Sequence, residues 1–483
     1  MGLLYGKYHG YVFYGGSIVK KKKKALKGPA EFNNEYNLQN ALKKGDIFTK
    51  LSFVIMGLGN IVRKQIIKGL IFLAVEVAFI YFMVSSGIHC IAMLPSLGDK
   101  PHVEEWNEAL QVFTYNTDYD VSYLILLYGV VSIVVCVLFV VFWRASVKSA
   151  YKVQVLREKG KHVNNIFQDI KDLFDVNLHK LLLSLPVTGV LVFTILPLIY
   201  MICMAFTDYN GTITRPDGYG DLFDWTGLQS FTDVLSLKGS VGKEFWSVLG
   251  WTLIWAVLAT FLNYIFGMIL AIIINRKGTR LKGMWRFFFI LSIAIPQFVS
   301  LLIIRTLLDK TGPINNTLID AGIIDKFIPF LSDATMARVT VVIVNLWVGI
   351  PYTMLQVTGI LQNIPADLYE AAKVDGANAI TQFFKITLPY MLFVTAPYLV
   401  TTFTGNVNNF NVIYLLTAGA PTPVGNTAGK TDLLVTWLYK LTVDNEKYNI
   451  GAVIGIMTFV VLSIVSLVTY RNTGSYKDEE GFQ

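Results

Sequence analysis

Between two long apolar runs the chain reads Asn363-Ile-Pro-Ala-Asp-Leu-Tyr-Glu-Ala-Ala-Lys-Val-Asp-Gly-Ala-Asn-Ala-Ile-Thr-Gln-Phe-Phe-Lys-Ile-Thr-Leu-Pro389. A connection of this kind is ordinarily polar and featureless, but this one carries internal order. Pro365 suits the first position of a helix, where its missing N–H costs nothing. Asp367 and Glu370 then lie near the positive end of the helix dipole. Ala371 and Ala372 leave a smooth face that another surface can approach closely, and Gly376 permits a turn with positive φ that a Cβ would resist. Beyond it, Ile380, Phe383, Phe384 and Thr387 recur at i, i+3, i+4 and i+7, one helical stripe, which Pro389 closes. The stretch therefore reads as a short helix–turn–helix with a partly apolar surface. By pattern alone that surface suits a lipid face as well as another protein.

The runs on either side set the fold class. The 483-residue chain is 54% hydrophobic and 15% charged, outside the range of an ordinary soluble enzyme, and its mean hydropathy is +0.52. A bilayer core needs roughly 20 apolar residues per helix. Stretches 66–86, 121–143, 181–206, 245–274, 287–307, 339–361, 391–417 and 450–470 qualify, predicting an all-α polytopic membrane protein with about eight transmembrane helices. Loop charges orient them. The region up to Lys68 is basic, as are the loops after the second span (Arg144 to Lys180) and the fourth (Arg276, Lys277, Arg280, Lys282, Arg286). The loops after the first and third spans are acidic, with Glu104, Glu105, Glu108, Asp118 and Asp120 in one and Asp208, Asp217, Asp221, Asp224 and Asp233 in the other. All basic loops share one face if both termini are cytoplasmic, which places 362–390 inside the cell. The net charge of +8 is thus topological and implies no nucleic acid. The lysine run 20–24 reads as a cytoplasmic arm, and 46–61 either as an interfacial helix or as a plain lead-in to the first span. Cys90, Cys136 and Cys203 lack metal or disulfide spacing.

Glu370-Ala-Ala, Asp375-Gly-Ala and Ile386-Thr-Leu-Pro389 together resemble the EAA loop of ABC-importer permeases. The resemblance implies that the loop docks as a coupling helix into an ATPase subunit, with Glu370, Ala371, Ala372, Asp375 and Gly376 at the contact. The chain has no GxxxxGK[ST] phosphate loop. In Gly425-Asn-Thr-Ala-Gly-Lys-Thr431 the two glycines are separated by three residues instead of four, in an expected extracellular loop. The expectation is a transport subunit and not an enzyme. It binds no cofactor, and ATP and Mg belong to a separate ATPase.

The likeness extends over 181–471 and is closest to the maltose-type branch of carbohydrate ABC permeases. It is carried by Asp224-Trp-Thr-Gly-Leu-Gln-Ser-Phe231, Ala294-Ile-Pro296, Gly312-Pro-Ile-Asn-Asn316, Trp347-Val-Gly-Ile-Pro-Tyr352 and Asn408-Asn-Phe-Asn-Val-Ile-Tyr-Leu-Leu-Thr417. It implies a type I ABC importer permease fold in the bacterial plasma membrane. The divisions are a basic arm with a possible interfacial helix (1–64), two additional spans (65–180), a six-span core (181–471) holding the loop 362–390, and a cytoplasmic tail (472–483). Implied partners are a second related permease subunit, two ATPase subunits, an extracellular sugar-binding protein, an oligosaccharide of maltodextrin-like kind, and membrane lipid. The outer segment 208–244 is short, a departure from maltose-type members with a large domain there.

The seventh span carries Thr401, Thr402, Thr404, Asn406, Asn408, Asn409 and Asn411. Amides in hydrocarbon are costly unless they face protein or a water-filled cavity. Thr402, Asn406 and Asn409 share one helical face by spacing, and Asn offers donors and an acceptor that suit sugar hydroxyls. Hydrogen bonding between helices is the plainer alternative. The resemblance implies that Gly349, Tyr352, Thr402, Asn406 and Asn409 line a sugar site, while Gly405 departs from relatives that can carry an aromatic there. Glu76 inside the first span is a functional candidate by position, but it lies outside the core, which favours a structural pairing. Arg305 is expected to snorkel. Two other readings stand beside sugar import by an ATP-driven permease. An ion-coupled secondary carrier would need buried acids in the core spans, and an ABC permease could serve a non-sugar solute.

Overall fold

The computed structural model describes residues 12–14, 17–19, 36–108, 111–210, 222–276 and 278–471. The lysine run 20–24, Asp217, Asp221, Lys277 and the tail 472–483 lie outside the described residues. In chain order the membrane-scale helices are α1 (Ile66–Met93), α2 (Ser122–Glu158), α3 (Leu178–Met204) and α4 (Ser240–Asn275). A pair follows, α5 (Lys282–Ala294) and α6 (Gln297–Leu307), bent by 89°. Then come α7 (Ala334–Leu361), the short α8 (Ala366–Val374), α9 (Ala379–Thr417), the short α10 (Leu434–Tyr439) and α11 (Tyr448–Arg471). Among the described residues seven continuous helices are long and apolar enough to cross a bilayer, and the bent pair makes up to eight.

The bend corrects the expectation of one straight span over 287–307. The cause is local. A residue before proline is driven out of the helical region, and Ile295 is extended at φ −81°, ψ 127°, followed by Pro296 at φ −53°, ψ 126°. Helix α9 is likewise interrupted, between Leu388–Val407 and Phe410–Thr417, where Asn409 takes φ −77°, ψ 85°.

The chain divides into two compact units, residues 1–91 with 131–191 and residues 92–130 with 192–483. In the first, short helices Ile47–Leu51 and Leu58–Val62 fold as a hairpin ahead of α1. Buried Arg63 ties that hairpin together, donating to Asp46 Oδ1 (2.6 Å), Thr49 Oγ1 (2.8 Å), the Gly59 carbonyl (2.9 Å) and the Ala150 carbonyl of α2 (3.2 Å). Four acceptors, one of them the Asp46 carboxylate, offset the desolvation of the guanidinium. Segment 46–61 is therefore a folded element and not a lead-in.

In the second unit α4 packs most extensively on α7. With lipid as the alternative neighbour, close contact rather than water exclusion holds helices together. Small residues permit it here: Gly267 of α4 faces Thr353 of α7, and Gly349 of α7 faces Asn263 of α4. Around this seam Trp255, Ala256, Ala259, Leu301, Val341 and Leu416 form a fully buried cluster. Segment 418–433 is pinned across the ends of these helices. Glu244 Oε2 accepts from the Thr427 amide (3.0 Å) and hydroxyl (2.7 Å) and from the Ala428 amide (2.8 Å). Buried Asp432 accepts from the Gly429 amide (2.7 Å), Thr436 Oγ1 (2.9 Å) and Lys440 Nζ (2.7 Å). The loop that superficially resembled a phosphate loop is thus a packed lid segment, its polar groups already engaged.

Candidate functional site

The stretch 363–389 folds as a helix, a turn and a second helix. α8 begins at Ala366, with Pro365 just ahead of it at φ −56°, ψ 130°, one position earlier than the spacing predicts. Asp367 lies in its first turn and Lys373 in its last, each on the end of the dipole that favours its charge. The helix closes on Gly376 at φ +77°. The Gly376 amide donates to the Lys373 carbonyl (3.0 Å) and the Ala377 amide to the Ala372 carbonyl (2.8 Å), satisfying carbonyls the helix end would leave orphaned. No atom stands within 4 Å of a Cβ built on Gly376, so backbone conformation alone demands glycine. Asn378 then caps α9, accepting from the Thr381 amide at 2.8 Å. Tyr369 OH bonds Thr387 Oγ1 (2.9 Å), locking the two arms.

Glu370, Ala371, Asp375 and Gly376 are exposed and Ala372 is half-buried. The predicted stripe divides: Ile380 and Phe384 face outward, while Phe383 packs inward and Thr387 is buried. Val374, 89% exposed, joins Ile380 and Phe384 on the outer surface. The sequence reading missed this exposed aliphatic side chain beside the glycine turn; its signal was an apolar residue directly before Asp375-Gly376.

One helix pair away lies the polar seam. Asn406 is buried, and its Nδ2 donates to Thr260 Oγ1 of α4 at 3.0 Å, while Trp255 Nε1 donates to its carbonyl at 3.0 Å. Gly349 meets the Asn263 side-chain amide. Thr260 and Asn263 are three apart on α4, so Asn406 and Gly349 converge on one turn of that helix. Gly349 gives its cleared space to Asn263. Tyr352, one turn further along α7, is half-exposed. Thr402 is half-buried on α9. Asn409 has left the helix and caps the next segment, its Oδ1 accepting from the Val412 amide at 3.2 Å. The interruption therefore separates Asn409 from the regular face that spacing gave it with Thr402 and Asn406.

Two further residues mark the seam. Asn263 Oδ1 and Asn345 Nδ2 are buried without a hydrogen-bond partner among the described residues. A buried amide left unpaired costs about 1–3 kcal/mol, and here an acceptor on α4 and a donor on α7 are left so. Each is a single Asn in an otherwise apolar run, a signal present in the sequence but weaker than the cluster in α9. Glu76 has an ordinary structural partner, accepting from the Met56 amide at 2.8 Å.

Residues 263–473 match the family model described as binding-protein-dependent transport system inner membrane component. The chain is 33% identical over 430 residues to the galactooligosaccharides transport system permease protein GanP of Bacillus subtilis, covering 88% of this chain and 97% of that one. It is 33% identical over 439 residues to the maltodextrin transport system permease protein MalC of Streptococcus pneumoniae, covering 88% and 96%. With the maltose/maltodextrin transport system permease protein MalF of Escherichia coli it shares 36% over 254 residues, about half of each chain. In fold it is similar to a chain of a bacterial ABC transporter involved in the import of the acidic polysaccharide alginate, at a TM-score of 0.50 and 22% identity, covering 63% of this chain and 97% of that one. The chain belongs to the binding-protein-dependent transport system inner membrane components, as a maltose-type permease of the ABC importers.

Proposed function

We propose that this chain is one of two permease subunits of an importer that carries an oligosaccharide, of maltodextrin or galactooligosaccharide kind, across a bacterial plasma membrane. Both termini and the loop 362–390 face the cytoplasm. A separate ATPase, holding ATP and Mg, seats α8 and the Gly376 turn in a surface cleft. A second ATPase serves the second permease, and a sugar-loaded extracellular binding protein docks on the acidic outer side. The observation that carries this reading is the rigid, exposed turn built on Gly376, Glu370 and Val374, which leads directly through α9 to the polar seam.

In this reading sugar hydroxyls engage Asn406, Thr402, Asn409 and the unpaired amides of Asn263 and Asn345, with Tyr352 offering a ring face. Asn406 already holds Thr260. Admitting substrate then means exchanging that hydrogen bond for one to sugar, so a small separation of α4 and α9 opens the site. Replacing Asn345 and Asn409 with alanine tests the site. Binding-protein-dependent uptake should fall at least tenfold while the subunits still co-purify. Unchanged uptake would return these amides to helix packing.

A further inference from the structure

The hairpin before α1 has a purpose that neither the coupling loop nor the polar seam requires. Its tip, 53–57, carries backbone groups bonded by side chains from both neighbouring helices. The Met56 amide donates to Glu76 Oε2 of α1 (2.8 Å) and the Gly57 amide to Ser146 Oγ of α2 (2.9 Å). Trp143 Nε1 donates to the Phe53 carbonyl (2.9 Å), and Ser52 Oγ accepts from the Gly59 amide (2.8 Å). The tip presses directly on α1, because Gly57 and Gly69 stand back to back where a Cβ on either would overlap the other's backbone. Satisfying irregular backbone this fully is what hydrocarbon demands and what water would supply without help.

The depth order along α2 agrees. The hairpin base meets Gln154, which accepts from the Asp46 amide (3.0 Å) and Thr49 Oγ1 (2.8 Å), while the tip meets Trp143, eleven residues nearer the apolar run. At 1.5 Å per residue the hairpin descends about 16 Å from base to tip. Its outer surface is apolar: Ile47 and Val54 are each 73% exposed, with Leu51 and Ile55 beside them. That surface runs on into exposed Ile66, Ile67 and Leu70 of α1, the lipid-facing belt. Above the tip, Lys43, Lys44, Lys50 and Lys64 are exposed, while Asp46 is taken up by Arg63.

We propose that residues 47–62 form a wedge seated in the headgroup–acyl boundary of the leaflet on the basic side, with Val54 and Ile55 in the acyl region and the lysines on anionic headgroups. Lipid is the occupant because the apolar surface is continuous with the membrane belt and the rim charge complements an anionic leaflet. Glu76 is the positioning residue that lets the tip enter. Which leaflet this is follows the sidedness given under the proposed function; insertion itself does not depend on it.

The test uses the full chain with Cys90, Cys136 and Cys203 replaced by serine and a bimane label on Val54→Cys. It is reconstituted in symmetric nanodiscs of phosphatidylcholine, alone or with phosphatidylglycerol. The label should emit at short wavelength and lose at least about half its intensity to lipids brominated on the acyl chain, as burial at this depth requires, while iodide leaves it untouched. Lys43→Glu, Lys44→Glu and Lys50→Glu together should weaken that quenching in the anionic discs only. Glu76→Ala should move the label toward water, and Glu76→Gln should hold it in place. Iodide quenching with no effect of bromine would overturn the proposal. So would a blue shift that appears only on adding the ATPase, which would make the wedge a protein-docking surface. Because the discs are symmetric, a wrong sidedness leaves these outcomes unchanged.

Discussion

Gly349 is held by its neighbour across the seam. A methyl group there would overlap the Asn263 amide, which is itself buried. Gly349→Ala should therefore destabilise the permease by about 1–3 kcal/mol, the ordinary cost of overpacking. Asn263→Ala in the same chain should recover most of the loss, read as thermal unfolding midpoints in detergent. A double variant whose loss is the sum of the two single losses would show that the two residues do not meet. Asp432 poses a different residue-scale problem. Burial pushes its carboxyl above the usual range, with Lys440 pulling it back. Lys440→Met should cost about 3–5 kcal/mol by leaving the Asp432 carboxylate buried without its partner. Asp432→Asn with Lys440→Met should regain much of that, since replacing a buried pair is far cheaper than breaking one. The sign of the pH dependence follows from the raised folded-state value. The Asp432 contribution is full below the ordinary carboxylate pKa and is lost as pH rises through the folded one. Mild acid should therefore not release segment 418–433 through this carboxyl, as hydrogen exchange on the Gly429 amide would show.

At the scale of elements, the turn at Gly376 separates backbone demand from packing demand. Its φ of +77° disfavours any Cβ by about 1–2 kcal/mol, while the open space around it would admit a side chain. Gly376→Asn should retain substantial ATPase co-purification, because Asn tolerates the left-handed region. Gly376→Val should lose co-purification and uptake together, being β-branched in that region. If the two behave alike, a clash with the docked partner, and not turn geometry, governs the site. This element was legible in the sequence because its determinants are local: a proline ahead of the helix and a glycine after it. The bend between α5 and α6 has an equally local cause in Pro296, yet a hydropathy window averages over it and returns one span. The polar seam was legible only in part. Asn406 stood out as an amide in an apolar run, but its bond to Thr260 joins positions 146 residues apart. Only packing chooses such a partner. The same holds for Glu76, whose acceptor role became visible once the Met56 amide was placed beside it.

For the whole molecule the central quantity is sidedness, because every role assigned to a loop depends on it. Basic loops precede α1, follow α2 and follow α4, and acidic loops follow α1 and α3. The helices α1 to α4 alternate in step with that pattern, and the bent pair must count as one crossing for α8 to fall on the basic face. Two residues give a direct measurement. Val424, in segment 418–433, is fully exposed, and Val374 at the end of α8 is 89% exposed. Half-buried Cys90, Cys136 and Cys203 are first replaced by serine, so that single cysteines report alone. In intact cells a membrane-impermeant maleimide should label Val424→Cys and spare Val374→Cys, which should react only after permeabilisation. Both sites labelled in intact cells would mean that α9 does not cross the membrane between them. Labelling of Val374→Cys alone would put α8 on the outer face, either because α5 and α6 do not together make a crossing or because the whole molecule is inverted, and the loop 362–390 would then face away from any ATPase. The expected pattern instead places the Gly376 turn where ATP is available and segment 418–433 where a binding protein arrives. In that arrangement α4, α7 and α9, which carry the polar seam, span the membrane between the two.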